Sequence, residues 1–323
     1  KNQLENYLQK IAISHNVTNK SQRDTYPVPH MLESFKIIQE VYNLLNEHIK
    51  LVIDIHPAGE WLLDNYYIIE ERVKQIKDEL DLNKYKKFLG LDNGPYAGFA
   101  RIYILAKEMC AYTDSNINKE NLEFMLTSYQ KRKTLNMDEI WNIELFIKIA
   151  IIENIKDICE KIYASQMQKY RAENIIERLV ELKTKENQVF NKKPYKSYKF
   201  GYGEMKYPFI EYMSYKLKKT DKDSYDYIEA LEDSVEKMGT NINDVIKKEH
   251  FDIATQKVLM GNSITSIKKI QRINFLEIFE KINGVEELLK QDPADVYINM
   301  DFRTKEYYRN KIKELSKKTK ISE

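Results

Sequence analysis

From Met31 to Ile49 the apolar positions Leu32, Phe35, Ile38, Val41, Tyr42, Leu45 and Ile49 recur three and four residues apart, with polar residues between them. That spacing places them on one stripe of an α-helix. The same pattern predicts helices over Glu60–Leu80, Gly98–Tyr112, Lys119–Lys133, Met137–Tyr163 and Gln168–Thr184. It predicts five more over Pro208–Lys218, Ser224–Gly239, Ile242–Arg272, Phe275–Leu289 and Phe302–Thr319. Thr113-Asp114-Ser115 and Asn136 supply polar breaks with N-capping side chains, and Gly239 and Gly261 read as helix ends or irregularities. The stretches Phe99–Tyr112 and Ile140–Ile158 are apolar nearly all round, so they belong at the centre of the fold. Burying their few charges requires partners. Glu144 and Lys148, four apart, can pair on their own helix. Arg101, Glu108 and Glu153 have no local solution and read either as members of structural ion pairs or as the lining of a polar pocket.

Composition narrows the fold class. With 323 residues, 42% hydrophobic and 32% charged, and only 9 Gly and 7 Pro to punctuate strands, the chain reads as all-α. An irregular multi-helix bundle or a stack of α-hairpins fits. Gly, Pro and Lys gather around several tyrosines near residue 190, which divides the chain into an N-terminal sub-bundle (1–186), a Lys/Tyr-rich loop or linker (187–207) and a C-terminal sub-bundle (208–323). The 52 basic and 50 acidic residues are interleaved and leave a net charge of +2, which argues against a nucleic-acid partner. Cys110 and Cys159 sit in apolar helices without metal-ligand spacing and read as small core residues of a reducing compartment. Glu144, Lys148, Glu153 and Asn154 interrupt the most apolar window, so it is not expected to cross a bilayer. Lys1 to Lys10 is amphipathic and has no apolar h-region. In Lys192–Tyr215, lysines alternate with Tyr195, Tyr198 and Tyr202; a solvated loop, a carbohydrate contact, a neighbouring domain or a membrane surface would each suit it.

The densest chemistry lies in His56–Glu71. Trp61, Asp64, Asn65 and Ile68 fall on one helical face, where an indole beside a carboxylate and an amide suits a sugar: the ring covers C–H faces and the polar groups bridge hydroxyls. A Trp anchoring helix packing gives the same spacing. Arg101 and Trp141 join Trp61, Asp64 and Asn65 as substrate-binding candidates. Glycoside chemistry needs two carboxyl groups across a cleft, and Glu60, Asp64, Glu70, Glu108 and Glu153 are the candidates; Glu70 and Glu71 point about 100° apart on a helix and cannot pair with each other. No phosphate loop, zinc pattern or nucleophile elbow occurs, and Asp221-Lys-Asp223, in a charged turn, has only the letters of a metal-binding D-x-D. No metal or cofactor is expected.

An ordered series of segments adds to this reading. Pro57-Ala-Gly-Glu-Trp-Leu-Leu-Asp-Asn65, Gly98-Phe-Ala-Arg-Ile-Tyr103, Ala111-Tyr-Thr-Asp114, Tyr129-Gln130, Leu135 through Glu139 to Trp141, and Glu153-Asn154 resemble successive motifs of the cyclic β-1,2-glucan synthases, glycosyltransferase family 84. Glu249-His250, Asn262-Ser-Ile-Thr-Ser266, Phe279-Glu280 and Met300-Asp-Phe-Arg-Thr304, followed by Tyr307, Tyr308 and Arg309, continue the resemblance over about residues 30 to 323. Tyr112 stands where the family has histidine, and 187–207 diverges. The resemblance implies a place in a large inner-membrane enzyme that makes β-1,2-glucan from UDP-glucose: the helical region that precedes the spans and the transferase domain, on the cytoplasmic side. Two functions then compete. One is a non-catalytic module that scaffolds the synthase, with its other domains as partners and β-1,2-glucan held in a groove of Trp61 and Trp141. The other is a free-standing hydrolase or transglycosylase using the acids above. A helical protein-interaction scaffold is a third.

Overall fold

The computed structural model describes residues 2–186, 205–219 and 225–319. Among them the fold is all-α. Thirteen helices follow in order: α1 (Asn2–Ser14), α2 (Pro27–Lys50), α3 (Pro57–Glu79), α4 (Leu82–Tyr85), α5 (Arg101–Tyr112), α6 (Lys119–Gln130), α7 (Met137–Glu186), α8 (Tyr207–Lys219), α9 (Tyr225–Glu236), α10 (Ile242–Ile270), α11 (Phe275–Ile282), α12 (Gly284–Leu289) and α13 (Phe302–Thr319). One antiparallel pair, β1 (Val17–Thr18) with β2 (Gly90–Leu91), is too short for any periodicity to announce it.

Two divisions between helices differ from the sequence pattern, each for a local reason. The helices expected over Met137–Tyr163 and Gln168–Thr184 are one helix of 50 residues. Ala164-Ser-Gln-Met167 contains neither Gly nor Pro, so nothing stops the backbone ladder there, and Ser165 and Gln166 are buried. The helix expected over Phe275–Leu289 is divided at Asn283, which terminates α11 and whose side chain accepts the Val285 N–H at 2.9 Å to begin α12. Asn136 caps α7 as expected: its Oδ1 accepts from Glu139 N while Glu139 Oε2 accepts from Asn136 N, both at 2.9 Å. The cap of α6 is Asn118, paired with Asn121 in the same reciprocal way.

Internal contacts group the chain into two compact units, each assembled from separate stretches: Lys1–Phe35, Tyr67–Asn154 and Asn262–Glu323 in the first, Lys36–Tyr66 and Ile155–Gly261 in the second. The proposed linker 187–207 falls almost wholly outside the described residues, as does Asp221-Lys-Asp223. In the first unit α5 buries eight residues, Arg101 and Tyr103 among them, and the first turns of α7 add Ile143, Phe146, Ile147 and Ile151 to the same core. A phenolic oxygen ties its loops together: Tyr85 Oη donates to Thr25 O at 2.8 Å and accepts the Ala100 N–H at 3.0 Å. At the C-terminal end, Arg309 of α13 reaches Glu286 and Glu280 at 2.8 and 3.2 Å, and lies over the Phe279 ring that Trp141 stacks on. The second unit has its own core, in which Ala172 and Leu179 of α7, Phe209, Ile210, Met213 and Leu217 of α8, Leu231 and Val235 of α9, and Ile242 and Val245 of α10 pack together.

Candidate functional site

The contacts of Trp61 and Asn65 are packing and helix contacts. The half-buried indole lies against Gly261 of α10, where an added Cβ would come within 3.4 Å of Cε2 and Cζ2. Asn65 Nδ2 donates to Trp61 O at 2.8 Å, one turn back on its own helix. Glu60 and Asp64 are exposed, and Glu70 pairs with Lys74 at 3.7 Å. Arg101, 3% exposed, donates from Nε to Glu139 Oε1 at 2.9 Å, meets the other carboxylate oxygen through its Nη2, and donates to Thr134 O at 3.0 Å; Glu139 is fully buried. It is a structural ion-pair member. Lys148 pairs with Glu144 on α7, the i, i+4 solution read from their spacing. Trp141, 37% exposed, stacks on Phe279 with ring centroids 4.4 Å apart, in the first unit, whereas Trp61 belongs to the second.

Glu108 and Glu153 have a different setting, along the outer side of α5. Glu153 projects from α7 and is nearly buried, yet its partners reach the surface. Tyr103 Oη donates to Oε1 at 2.6 Å, His30 Nδ1 lies 3.1 Å from the same oxygen, and Lys107 Nζ sits 2.9 Å from Oε2. The His30 and Lys107 side chains are 61% and 41% exposed against 6% for Glu153, so the carboxylate forms the floor of a rim of donors. Tyr103 and Lys107 are four apart on one helix, which brings the ammonium over the ring at 5.5 Å. Beside them Tyr7 of α1 donates its hydroxyl to Glu108, and its ring lies 4.9 Å from that of Tyr112, four residues after Glu108.

The turn before α5 adds two more aromatics. Gly98, at φ +84°, reverses the chain; its carbonyl accepts from Gln22 N and Thr25 Oγ1, both at 2.8 Å, and a Cβ there would collide with the Gln22 side chain at 2.7 Å. This fixes Tyr96 and Phe99 ahead of Tyr103, with Phe99 stacked on Tyr103 at 6.1 Å and on edge to Tyr96 at 6.2 Å. Tyr96 and Tyr112 each remain 41% exposed. Burial, then the Glu108 carboxylate, pushes the Tyr7 hydroxyl up to about 12, and burial followed by Glu153 raises that of Tyr103 as well, so both remain proton donors.

The face therefore offers aromatic rings for C–H surfaces, carboxylates as acceptors, and an imidazole and an ammonium as donors. That is the chemistry of a neutral polyhydroxylated ligand. Tyr7, His30, Tyr96, Tyr103 and Lys107 were not among the candidates read from the sequence. The segment Gly98–Tyr103 marked the turn, but Tyr7 and His30 lie 101 and 123 residues from their carboxylates, and no local pattern encodes such pairings. Among the described residues no cluster of three His, Cys, Asp or Glu side chains could hold a metal ion. Cys110 and Cys159 are fully buried, and burial raises both thiols, Cys110 to about 12.

No protein-family model matches the chain. Over 291 residues it is 23% identical to the cyclic beta-(1,2)-glucan synthase NdvB of Rhizobium meliloti (strain 1021), an alignment that covers 90% of this chain and 10% of that protein. The chain is a distant homologue of this synthase. It spans about one tenth of the synthase's length, and the segments that carry the α5 face, Gly98–Tyr103, Ala111–Asp114 and Glu153-Asn154, are among those that resemble the family in sequence.

Proposed function

We propose that the chain is a helical module of glucan synthesis that binds β-1,2-glucan on the outer side of α5 and scaffolds a synthase without performing glucosyl transfer. The observation that carries the reading is the homology over 90% of the chain, joined to the convergence of family-like segments on one aromatic and carboxylate face. On this face Tyr7, Tyr96 and Tyr112 supply the rings, with Glu108, Lys107 and Glu153 as polar contacts. In this reading the partners are the other domains of a synthase, and the module works at the cytoplasmic side of the inner membrane. No helix among the described residues is long and apolar enough to cross a membrane; in this reading attachment comes through the rest of the synthase or through 192–215.

The test is calorimetric titration of the chain with linear β-1,2-gluco-oligosaccharides and with UDP-glucose, with product analysis of the same mixtures. The reading expects saturable glucan binding without turnover and no response to UDP-glucose. Loss of one stacking ring in Tyr112→Ala or Tyr96→Ala should weaken binding on the order of tenfold in a folded protein. Turnover of the glucan would transfer the assignment to a hydrolase or transglycosylase, and silence towards glucan would leave a protein-interaction scaffold.

A further inference from the structure

The turn that ends α5 breaks two local rules at one residue. Ser115 N donates to Cys110 O at 2.8 Å and closes the helix in a Schellman turn, with Asp114 as the first residue past the cap. That position takes a left-handed backbone and ordinarily glycine. Asp114 adopts φ +49° and Ser115 follows at φ +58°, so two consecutive residues with side chains are held left-handed. Asp114 also sets a carboxylate at the C-terminal end of α5, where the helix dipole disfavours negative charge. Its side chain is exposed, and among the described residues no hydrogen bond or ion pair engages the carboxylate. Neighbouring helices hold the turn in this state, all within the first unit. Asn154 Nδ2 of α7 donates to Ser115 Oγ at 2.8 Å, Asn262 Nδ2 of α10 donates to Asp114 O at 3.2 Å, and Ser266 Oγ of α10 accepts the Ile117 N–H at 2.8 Å. Three side chains thus maintain a conformation that glycine at 114 would adopt unaided.

We propose that Asp114 is a further glucan-contacting residue of the α5 face: its carboxylate accepts hydroxyls of the glucosyl unit that stacks on Tyr112, and Asn154, Asn262 and Ser266 are positioning residues that hold it there. The inference rests on the glucan reading above. Backbone and dipole both argue against an acid at this position, and a ligand supplies the reason for one. Tyr112, whose exposed ring belongs to the face, lies two residues before Asp114, a span of at most about 7 Å along the chain. Asn154, which grips Ser115, directly follows Glu153, the floor of the donor rim. The other two acids of the face are already engaged, Glu108 by Tyr7 and Glu153 by Tyr103, His30 and Lys107. Asp114 therefore brings two uncommitted oxygens, which can accept two vicinal hydroxyls at once. A β-1,2-linked glucosyl unit keeps its 3- and 4-hydroxyls free and adjacent, and its C–H face suits the Tyr112 ring.

Calorimetric titration of the whole chain with linear β-1,2-gluco-oligosaccharides, paired with thermal unfolding, tests this. Asp114→Asn keeps the side-chain size and the tolerance for a left-handed backbone while removing the charge. It should bind about tenfold more weakly than wild type, at an equal or higher melting temperature. Asp114→Gly should bind as weakly and melt higher, because the strain and the unfavourable charge both go. A residue that only ended the helix would give the higher melting temperature and leave binding alone. Undiminished binding in both variants, while Tyr112→Ala weakens it, would overturn the inference and leave the glucan reading standing. A lower melting temperature in both would make the acid a part of the fold and overturn the inference as well. A wild-type chain that binds no glucan would remove the reading, and the inference with it.

Discussion

Replacing Glu139 with leucine would leave the Arg101 guanidinium, 3% exposed, with Thr134 O and the Tyr129 hydroxyl as its neutral partners. Removing one member of a buried pair costs about 3–5 kcal/mol, because the other charge stays out of water. Glu139 also accepts the Asn136 N–H at the start of α7, and loss of that cap adds about 1 kcal/mol. The single variant should therefore lose about 4–6 kcal/mol. Arg101→Met combined with Glu139→Leu removes both charges from a site that can pack apolar groups, and should sit only about 1–2 kcal/mol below wild type, the cap and the Thr134 contact being what remains lost. The chain has two tryptophans, one in each unit. In a Trp61→Phe background, Trp141 fluorescence during urea unfolding reports the first unit alone. A coupling energy below about 1 kcal/mol between the two sites, or a double variant as unstable as the sum of the singles, would show that the pair is not the structural bond described.

Three further outcomes follow from other positions. Val52 sits at φ 57° and is 89% exposed, so Val52→Gly should relieve about 1–2 kcal/mol of left-handed strain, offset by about 0.5–1 kcal/mol of added chain entropy, for a small net gain in melting temperature. His15, 6% exposed and 3.0 Å from Tyr129 Oη, is lowered by burial, then by Arg101 and Lys133, to about 4. Its contribution is therefore complete above the ordinary histidine range and lost as pH falls from 6.5 towards 4, up to about 3 kcal/mol; Trp141-detected unfolding of His15→Asn should lack that slope. Gly261→Ala should be tolerated, since its Cβ meets the Trp61 indole at 3.4 Å, whereas Gly261→Leu should overpack the contact by about 1–3 kcal/mol in thermal unfolding.

The helices were legible because their signal is local: a stripe such as Leu32 to Ile49 is written within the element it forms. The all-round apolar character of α5 and of the start of α7 marked the core for the same reason. Asn136 was readable as a cap, but Asn283 was not, because a single asparagine within an apolar pattern looks the same whether it ends a helix or rides on its surface. The site was legible in part. Arg101 and Glu153 stood out as charges in buried helices, which is a sequence-level anomaly, but which partner answered each one depended on contacts 38 to 123 residues away. Trp61 drew attention by its chemistry. Its packing against Gly261, 200 residues later, is invisible in the pattern around it.

The Tyr85 hydroxyl gives the α5 face an unusual dependence. Backbone bonds hold the loop as well, Leu91 N donating to Phe99 O at 2.9 Å and Gly98 N to Leu91 O at 2.8 Å. To these one phenol adds bonds to Thr25 and the Ala100 amide, and Thr25 in turn bonds the Gly98 carbonyl of the turn bearing Tyr96. Tyr85, Thr25 and Gly98 therefore form an inheritance unit. Relatives that keep the exposed rings should keep all three, while the connecting loops are free to change length within the reach of one tyrosine. Where a lineage has lost the phenol, the rings of the face should have drifted with it.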